Sequence, residues 1–188
     1  MKHLIAFLFI AGLTGNVTTQ SIWHIKAIDP AGRLIPVKAL DMNDNVYDIK
    51  AFVEDGNTQF MDVKAIKGAK KLPVKIIFNQ DAFAPVKAIE ENGNLLSIKA
   101  ITADGKKLDV KGVSEAGNII HIKAIGEDGE YYGIKAISPE GVLHDVKGVK
   151  FKTEDKETTI SGVDIRAHIK ALPQVHVQND NIIMLQLL

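Results

Sequence analysis

A lysine recurs along most of this chain at nearly constant spacing, and that recurrence limits the possible folds more than any other feature. Aligned on Lys26, Lys38, Lys50, Lys64, Lys75, Lys87, Lys99, Lys111, Lys123, Lys135 and Lys147, eight of the ten intervals are 12 residues and the other two are 14 and 11. The unit reads roughly G-x-φ-φ-x-[IV]-K-A-I-x-x-D, with φ an apolar residue. Copies this short cannot bury an apolar face alone, so one supersecondary unit is repeated and each copy leans on its neighbours.

The residue before every one of these lysines is Ile or Val, from Ile25 to Val146. β-Branching there favours strand over helix. The residue after the lysine is Ala in eight copies and Gly in two, Gly112 and Gly148, with Ile76 the exception. A position kept this small implies close packing over it.

Between the strands the chain reads Asp29-Pro30-Ala31-Gly32, Thr102-Ala103-Asp104-Gly105, Ser114-Glu115-Ala116-Gly117, Gly126-Glu127-Asp128-Gly129 and Ser138-Pro139-Glu140-Gly141. These are preferences of a type I turn closed by a left-handed glycine, the usual three-residue hairpin connection. The expected fold is therefore all-β, with tandem 12-residue repeats forming an antiparallel β-meander and a parallel β-solenoid as the alternative. A solenoid of such coils stacks its lysines at about 4.8 Å, whereas hairpin register sets each lysine opposite the position two before the next lysine. That position holds Asp48, Asp62, Asp109 and Asp145, so lysine and aspartate should alternate.

The same position is proline at Pro36, Pro73 and Pro85, and proline cannot donate to a ladder. Identical turns at both ends of a nine-residue strand also aim its hydrogen bonds at one neighbour. A bulge or bend at these prolines is the expected remedy.

Three segments follow. Residues 1–20 read as a signal peptide: Lys2 and His3, then an apolar run from Leu4 to Gly12 too short to span a bilayer, then polar residues with Val17 and Thr19 at a candidate cleavage site. Residues 21–151 hold the repeats. Residues 152–188 carry a charged stretch, a degenerate copy at Ile169-Lys170-Ala171-Leu172 and an apolar tail from Ile182, expected to cap a sheet edge. The chain has no cysteine, which removes disulfides, thiolate metal sites and thiol nucleophiles. Export without disulfides points to a bacterial periplasm, cell surface or secreted location, with no transmembrane segment in the mature chain.

Basic and acidic residues both number 23, so the whole chain has no net attraction for polyanions. With one tryptophan, Trp23, and three tyrosines it also lacks the aromatic platforms of nucleic-acid binders, and nucleic acid is disfavoured. The candidate binding surface is a lysine row, Lys87, Lys99, Lys111, Lys123, Lys135 and Lys147. Asp41-Met42-Asn43-Asp44-Asn45 begins like a calcium loop but lacks the glycine and distal glutamate, and reads as a polar turn. His24 and His121 occupy the aspartate/proline position and read as structural. Asp164, His168 and His176 form the only loose acid–imidazole group, without a nucleophile or ligand spacing.

Choline-binding-type repeats need tryptophan and tyrosine pockets, and insect antifreeze coils carry Thr-Cys-Thr; neither pattern is present. A membrane barrel needs an unbroken apolar outer band, which mid-strand lysines interrupt. The expectation is an exported, non-enzymatic protein with no cofactor, metal or catalytic residue. Its repeated sheet serves as a structural surface or binds an unknown protein or glycan, and oligomerisation through sheet edges is open to it. The alternatives are polyanion binding by the lysine row, or an envelope hydrolase or metal protein using the C-terminal Asp/His group.

Overall fold

The computed structural model describes residues 21–54 and 56–174. The candidate signal peptide, His176 and the apolar tail lie outside the described residues. The described residues form thirteen strands, and every pairing among them is antiparallel. In order they are β1 (Ile22–Ile28), β2 (Leu34–Leu40), β3 (Val46–Glu54), β4 (Asn57–Lys67), β5 (Lys70–Ile77), β6 (Ala84–Ile89) and β7 (Leu95–Ile101). Then follow β8 (Lys107–Ala116), β9 (Ile119–Ile125), β10 (Tyr131–Ile137), β11 (Leu143–Val149), β12 (Thr158–Ile160) and β13 (Val163–Pro173). Ile98 pairs antiparallel with Ala39 rather than stacking over Val86, which decides against the solenoid.

The meander is folded into triangles. The second half of β1 pairs with the first half of β2, the second half of β2 with the first half of β3, and the second half of β3 returns to the first half of β1. Strands β6–β8 and β9–β11 close in the same way. A further triangle is assembled from β4, β5 and β13. We call these triad I (β1–β3), triad II (β4, β5, β13), triad III (β6–β8) and triad IV (β9–β11).

Each strand uses its other edge to join a different triad, through β1–β10, β2–β7, β3–β4, β5–β6, β8–β9 and β11–β13. Four triads joined in all six combinations have the connectivity of a tetrahedron. The sheet is thus a closed shell around one core, and both edges of its twelve long strands are engaged. At the centre of each junction two repeat lysines stand opposite each other: 26 and 135, 38 and 99, 50 and 64, 75 and 87, 111 and 123, 147 and 170. Lysine therefore does face lysine, contrary to the expected strict Lys–Asp alternation. Lys170, in the degenerate copy, is the twelfth member, so β13 belongs to the shell and does not cap it.

This topology resolves the hydrogen-bond problem without a bend at proline. The turn-linked neighbours share one edge, one half-strand each. The Asp29 N–H donates to Arg33 O, and alternation from that bond makes Lys26 and Pro36 a non-hydrogen-bonded pair. The proline nitrogen thus faces the other edge, where the β2–β7 register begins one residue later at Val37. Pro73 and Pro85 likewise lie just outside the β5–β6 junction. The irregularities in register fall elsewhere, between Phe52 and Glu54, Gly112 and Ser114, and Ile165 and Ala167.

The three-residue turns form as read, with the Gly32 N–H donating to Asp29 O and the Gly105 N–H to Thr102 O, at φ 78° and 85°. Ser114 to Ala116 is the exception. These residues extend β8, and Ala116 pairs with Ile119 across a two-residue turn at Gly117-Asn118.

Alternate side chains point inward. The Ile or Val before each lysine and the small residue after it are buried, and the alanines at 27, 39, 51, 65, 88, 100, 124, 136 and 171 are fully so. Ile76 is also fully buried and Gly148 makes its room, while Gly112 makes room for Ile120. A Cβ on Gly148 would collide with Ile76 Cδ1, and one on Gly112 would lie 2.8 Å from Ile120 Cγ2 and 3.5 Å from Ile76 Cδ1. One enlargement and two reductions keep the interior close-packed.

Candidate functional site

The lysines all lie on the outer face, half-buried, and the triangles collect them in threes: Lys26, Lys38 and Lys50 in triad I; Lys64, Lys75 and Lys170 in II; Lys87, Lys99 and Lys111 in III; Lys123, Lys135 and Lys147 in IV. The expected row is therefore two separate clusters, and the six lysines left out of it, from Lys26 to Lys75 and Lys170, stand in equivalent places. Within each triad every lysine faces the position two before the next lysine, as hairpin register requires. What occupies that position sets the electrostatics.

One lysine per triad meets an aspartate: Lys38 donates to Asp48, Lys170 to Asp62, Lys99 to Asp109 and Lys135 to Asp145. Asp62 is reached by a strand 108 residues away and not by its hairpin neighbour, since Lys50 pairs with Lys64. A second lysine meets histidine or serine: Lys50 Nζ lies 2.8 Å from His24 Nδ1, Lys75 2.9 Å from His168, Lys147 3.1 Å from His121, and Lys87 2.9 Å from Ser97 Oγ. The third faces a residue with no acceptor: Pro36 for Lys26, Pro73 for Lys64, Pro85 for Lys111, Gly133 for Lys123. Lys64 finds Glu54 at 3.6 Å and Lys111 finds Asp109 at 3.9 Å. Among the described residues, Lys26 and Lys123 have no such partner.

The crowding of charge shows in the protonation equilibria. Burial, reinforced by the two neighbouring ammoniums of the same triad, lowers the pKa of Lys50, Lys75, Lys87 and Lys123, one lysine in each cluster. Hydrogen bonds from Lys38 and Lys99 hold Asp48 and Asp109 below the usual carboxylate range. Burial alone would raise Asp62 and Asp145, but Lys170 and Lys135 bring them down. Burial, then the adjacent ammoniums, lowers His24, His121 and His168, so each imidazole stays neutral and accepts from lysine.

The neutrality of the chain hides this segregation. Taking the twelve repeat lysines and four aspartates from totals of 23 and 23 leaves 11 basic and 19 acidic residues for the rest. The acidic surplus lies outside the triads, much of it in turns such as Glu127-Asp128 and Glu90-Glu91, and each triad carries three ammoniums against one carboxylate.

The other candidates have structural partners. Asp164 accepts from Thr159 Oγ1 at 2.7 Å and pairs with Lys156 at 2.8 Å, whereas His168 sits at a repeat position in triad II, bonded to Lys75. Asp41 accepts from the Asn43 and Asn45 backbone N–H groups and from Asn45 Nδ2, closing a polar turn. Among the described residues no group of three or more His, Cys, Asp and Glu side chains is placed to hold a metal ion, and no helix is long and apolar enough to cross a membrane. An open cleft of about 890 Å³ lies between the β1–β2, β7–β8 and β9–β10 turns. Its charges engage one another through Asp29–Arg33 and Lys106–Glu127.

A buried charge network went unread in the sequence. Lys150 is buried and bonded to Glu115 at 3.0 Å, Arg166 reaches the same carboxylate at 2.8 Å, and buried Glu157 accepts from the Phe151 and Lys152 N–H groups at 2.5 and 2.6 Å. These bonds fold residues 150–157 beside triad II, with Glu157 3.7 Å from His168. The charged stretch from Lys152 to Thr159 did not reveal this network, because Glu115 and Arg166 come from β8 and β13.

Residues 19–172 match the model of a protein family described as a family of unknown function (DUF7486). The chain belongs to this family. The matched span starts ahead of β1 and reaches Leu172 in β13, so the family's common unit takes in the strand that completes triad II. No curated protein and no solved structure matches the chain.

Proposed function

We infer that this protein is a non-enzymatic scaffold, exported to the bacterial envelope, which presents four lysine triads to a partner with repeated acidic groups, an acidic glycan being the class that fits best. The single observation behind this reading is the gathering of twelve repeat lysines into four clusters, each with three ammoniums and one aspartate. The same few side chains recur at every corner, which suits multivalent attachment better than a pocket of unlike groups. The sequence of residues 1–20 supports export.

The test is binding of the chain from residue 21 onward to a uronic-acid polysaccharide at low and high salt. Affinity should fall at least tenfold between about 50 and 300 mM salt, since exposed charges are screened over about 10 Å at 0.1 M. It should weaken further when Lys26, Lys64, Lys111 and Lys123 are all changed to Gln. Binding indifferent to salt, or untouched in the fourfold variant, would count against the reading.

A further inference from the structure

Triad IV differs from the other three at one place. Where Lys26, Lys64 and Lys111 face a proline ring, Lys123 faces Gly133, which has no side chain. A Cβ there would meet nothing nearer than Lys135 Cε at 3.9 Å, so the space beside Lys123 is open. Lys135 is held by Asp145, and Lys147 by His121 at 3.1 Å and Asp145 at 3.4 Å; Lys123 has neither a hydrogen bond nor an ion pair among the described residues. Three ammoniums and one carboxylate with a neutral imidazole leave two uncompensated positive charges. The pair Lys135–Asp145 is about three-quarters buried, so those charges act through less water than surface lysines do.

We propose that triad IV is a discrete site for one doubly charged phosphate group, seated beside Gly133 between Lys123, Lys135 and Lys147. The charge matches a phosphate monoester or inorganic phosphate at neutral pH, while a sulfate monoester carries one charge and leaves one ammonium unanswered. Lysines bind phosphate as point charges, which a ring of three supplies from different sides. The proposal rests on the reading of the triads as anion-facing, and adds which triad is filled and by what.

The test follows lysine side-chain NMR signals of the chain from residue 21 onward during titration with inorganic phosphate, a hexose phosphate and the sulfate ester of the same hexose. Expected are saturable shifts at Lys123, Lys135 and Lys147 at one equivalent, with the sulfate ester at least tenfold weaker. Binding of the free ion and the sugar ester together assigns the site to a terminal group on a glycan; binding of the free ion alone assigns it to phosphate itself. Gly133→Asp, which installs the carboxylate found at this position in Asp48, Asp62, Asp109 and Asp145, should abolish binding and raise the melting temperature. Equal, unsaturable shifts at all repeat lysines, or binding unchanged in both Lys123→Gln and Gly133→Asp, overturn the proposal. If the polysaccharide binds and phosphate does not, only the discrete site falls. If phosphate binds at Lys123 and the polysaccharide does not, only the scaffold reading falls.

Discussion

Triads II and IV are built from the same unit by different routes. Triad IV comprises three consecutive strands joined by short turns, whereas triad II joins β4 and β5 to β13, whose Lys170 crosses 108 residues to reach Asp62. The two also carry complementary exceptions. Triad II places Ile76 where other strands have Ala, and triad IV answers with Gly148. Outside, Lys64 of triad II finds Glu54 at the end of β3 and residues 150–157 fold beside His168, while Lys123 of triad IV has no partner among the described residues. Local assembly yields the open, under-compensated corner, and long-range closure yields the reinforced one.

The largest effect should come from breaking closure. Ending the chain at residue 157 removes β12 and β13, unpairs the edges of β4, β5 and β11 and opens the core; the cooperative thermal transition followed by circular dichroism should disappear. A second intervention tests the exchange of volume between the triads. Gly148→Ala should cost about 2 kcal/mol, mainly through overpacking against Ile76, and markedly less in an Ile76→Ala background, where Ile120 Cβ at 3.1 Å is the remaining close contact, by urea denaturation of the two singles and the double. If the costs simply add, the two positions do not share a space.

That exchange also marks the limit of what the sequence conveys. Strand positions, inward Ile/Val and Ala, and turn glycines such as Gly32 and Gly105 were legible because each follows from local chemistry. The partner of each strand was not. All twelve lysine positions are locally alike, so nothing near Lys26 distinguishes Lys135 from Lys38 as its neighbour. The only non-local trace is the set of exceptions, one Ile and two Gly at a position otherwise Ala. Lys170 was legible as part of a degenerate copy, but its distance of 23 residues from Lys147 hid its place in the shell, and the lysine clusters were hidden by the expectation that a regular spacing makes a straight row.

Smaller effects separate the two lysine environments. Lys170→Met should destabilise by about 1 kcal/mol, because it leaves the largely buried Asp62 unpaired. Lys123→Met should be neutral or stabilising, since it removes an uncompensated ammonium; a loss equal to that of Lys170→Met would erase the contrast.

The smallest effect is on pH dependence. His24, His121, His144 and His168 all have pKa values lowered by burial, so the unfolded chain binds more protons than the folded one as pH falls below about 6.5. The histidine contribution to stability should be full above that pH and decline below it. A second decline should begin below about pH 4, as the lowered aspartates Asp48, Asp62, Asp109 and Asp145 give up their lysines. Triad II contributes to the first decline through His168 and triad III does not, having Ser97 instead. Melting temperatures of His168→Ser and the unchanged protein across pH 4.5–7.5 should therefore converge at the acid end.

The closed shell is tested most directly by interstrand backbone NOEs across the six lysine junctions in solution. The account predicts contacts at all six: 26 with 135, 38 with 99, 50 with 64, 75 with 87, 111 with 123, and 147 with 170. A simple sequential meander could show at most 50–64, 75–87 and 111–123, the junctions between consecutive strands, and the absence of 26–135, 38–99 and 147–170 would contradict the tetrahedral arrangement.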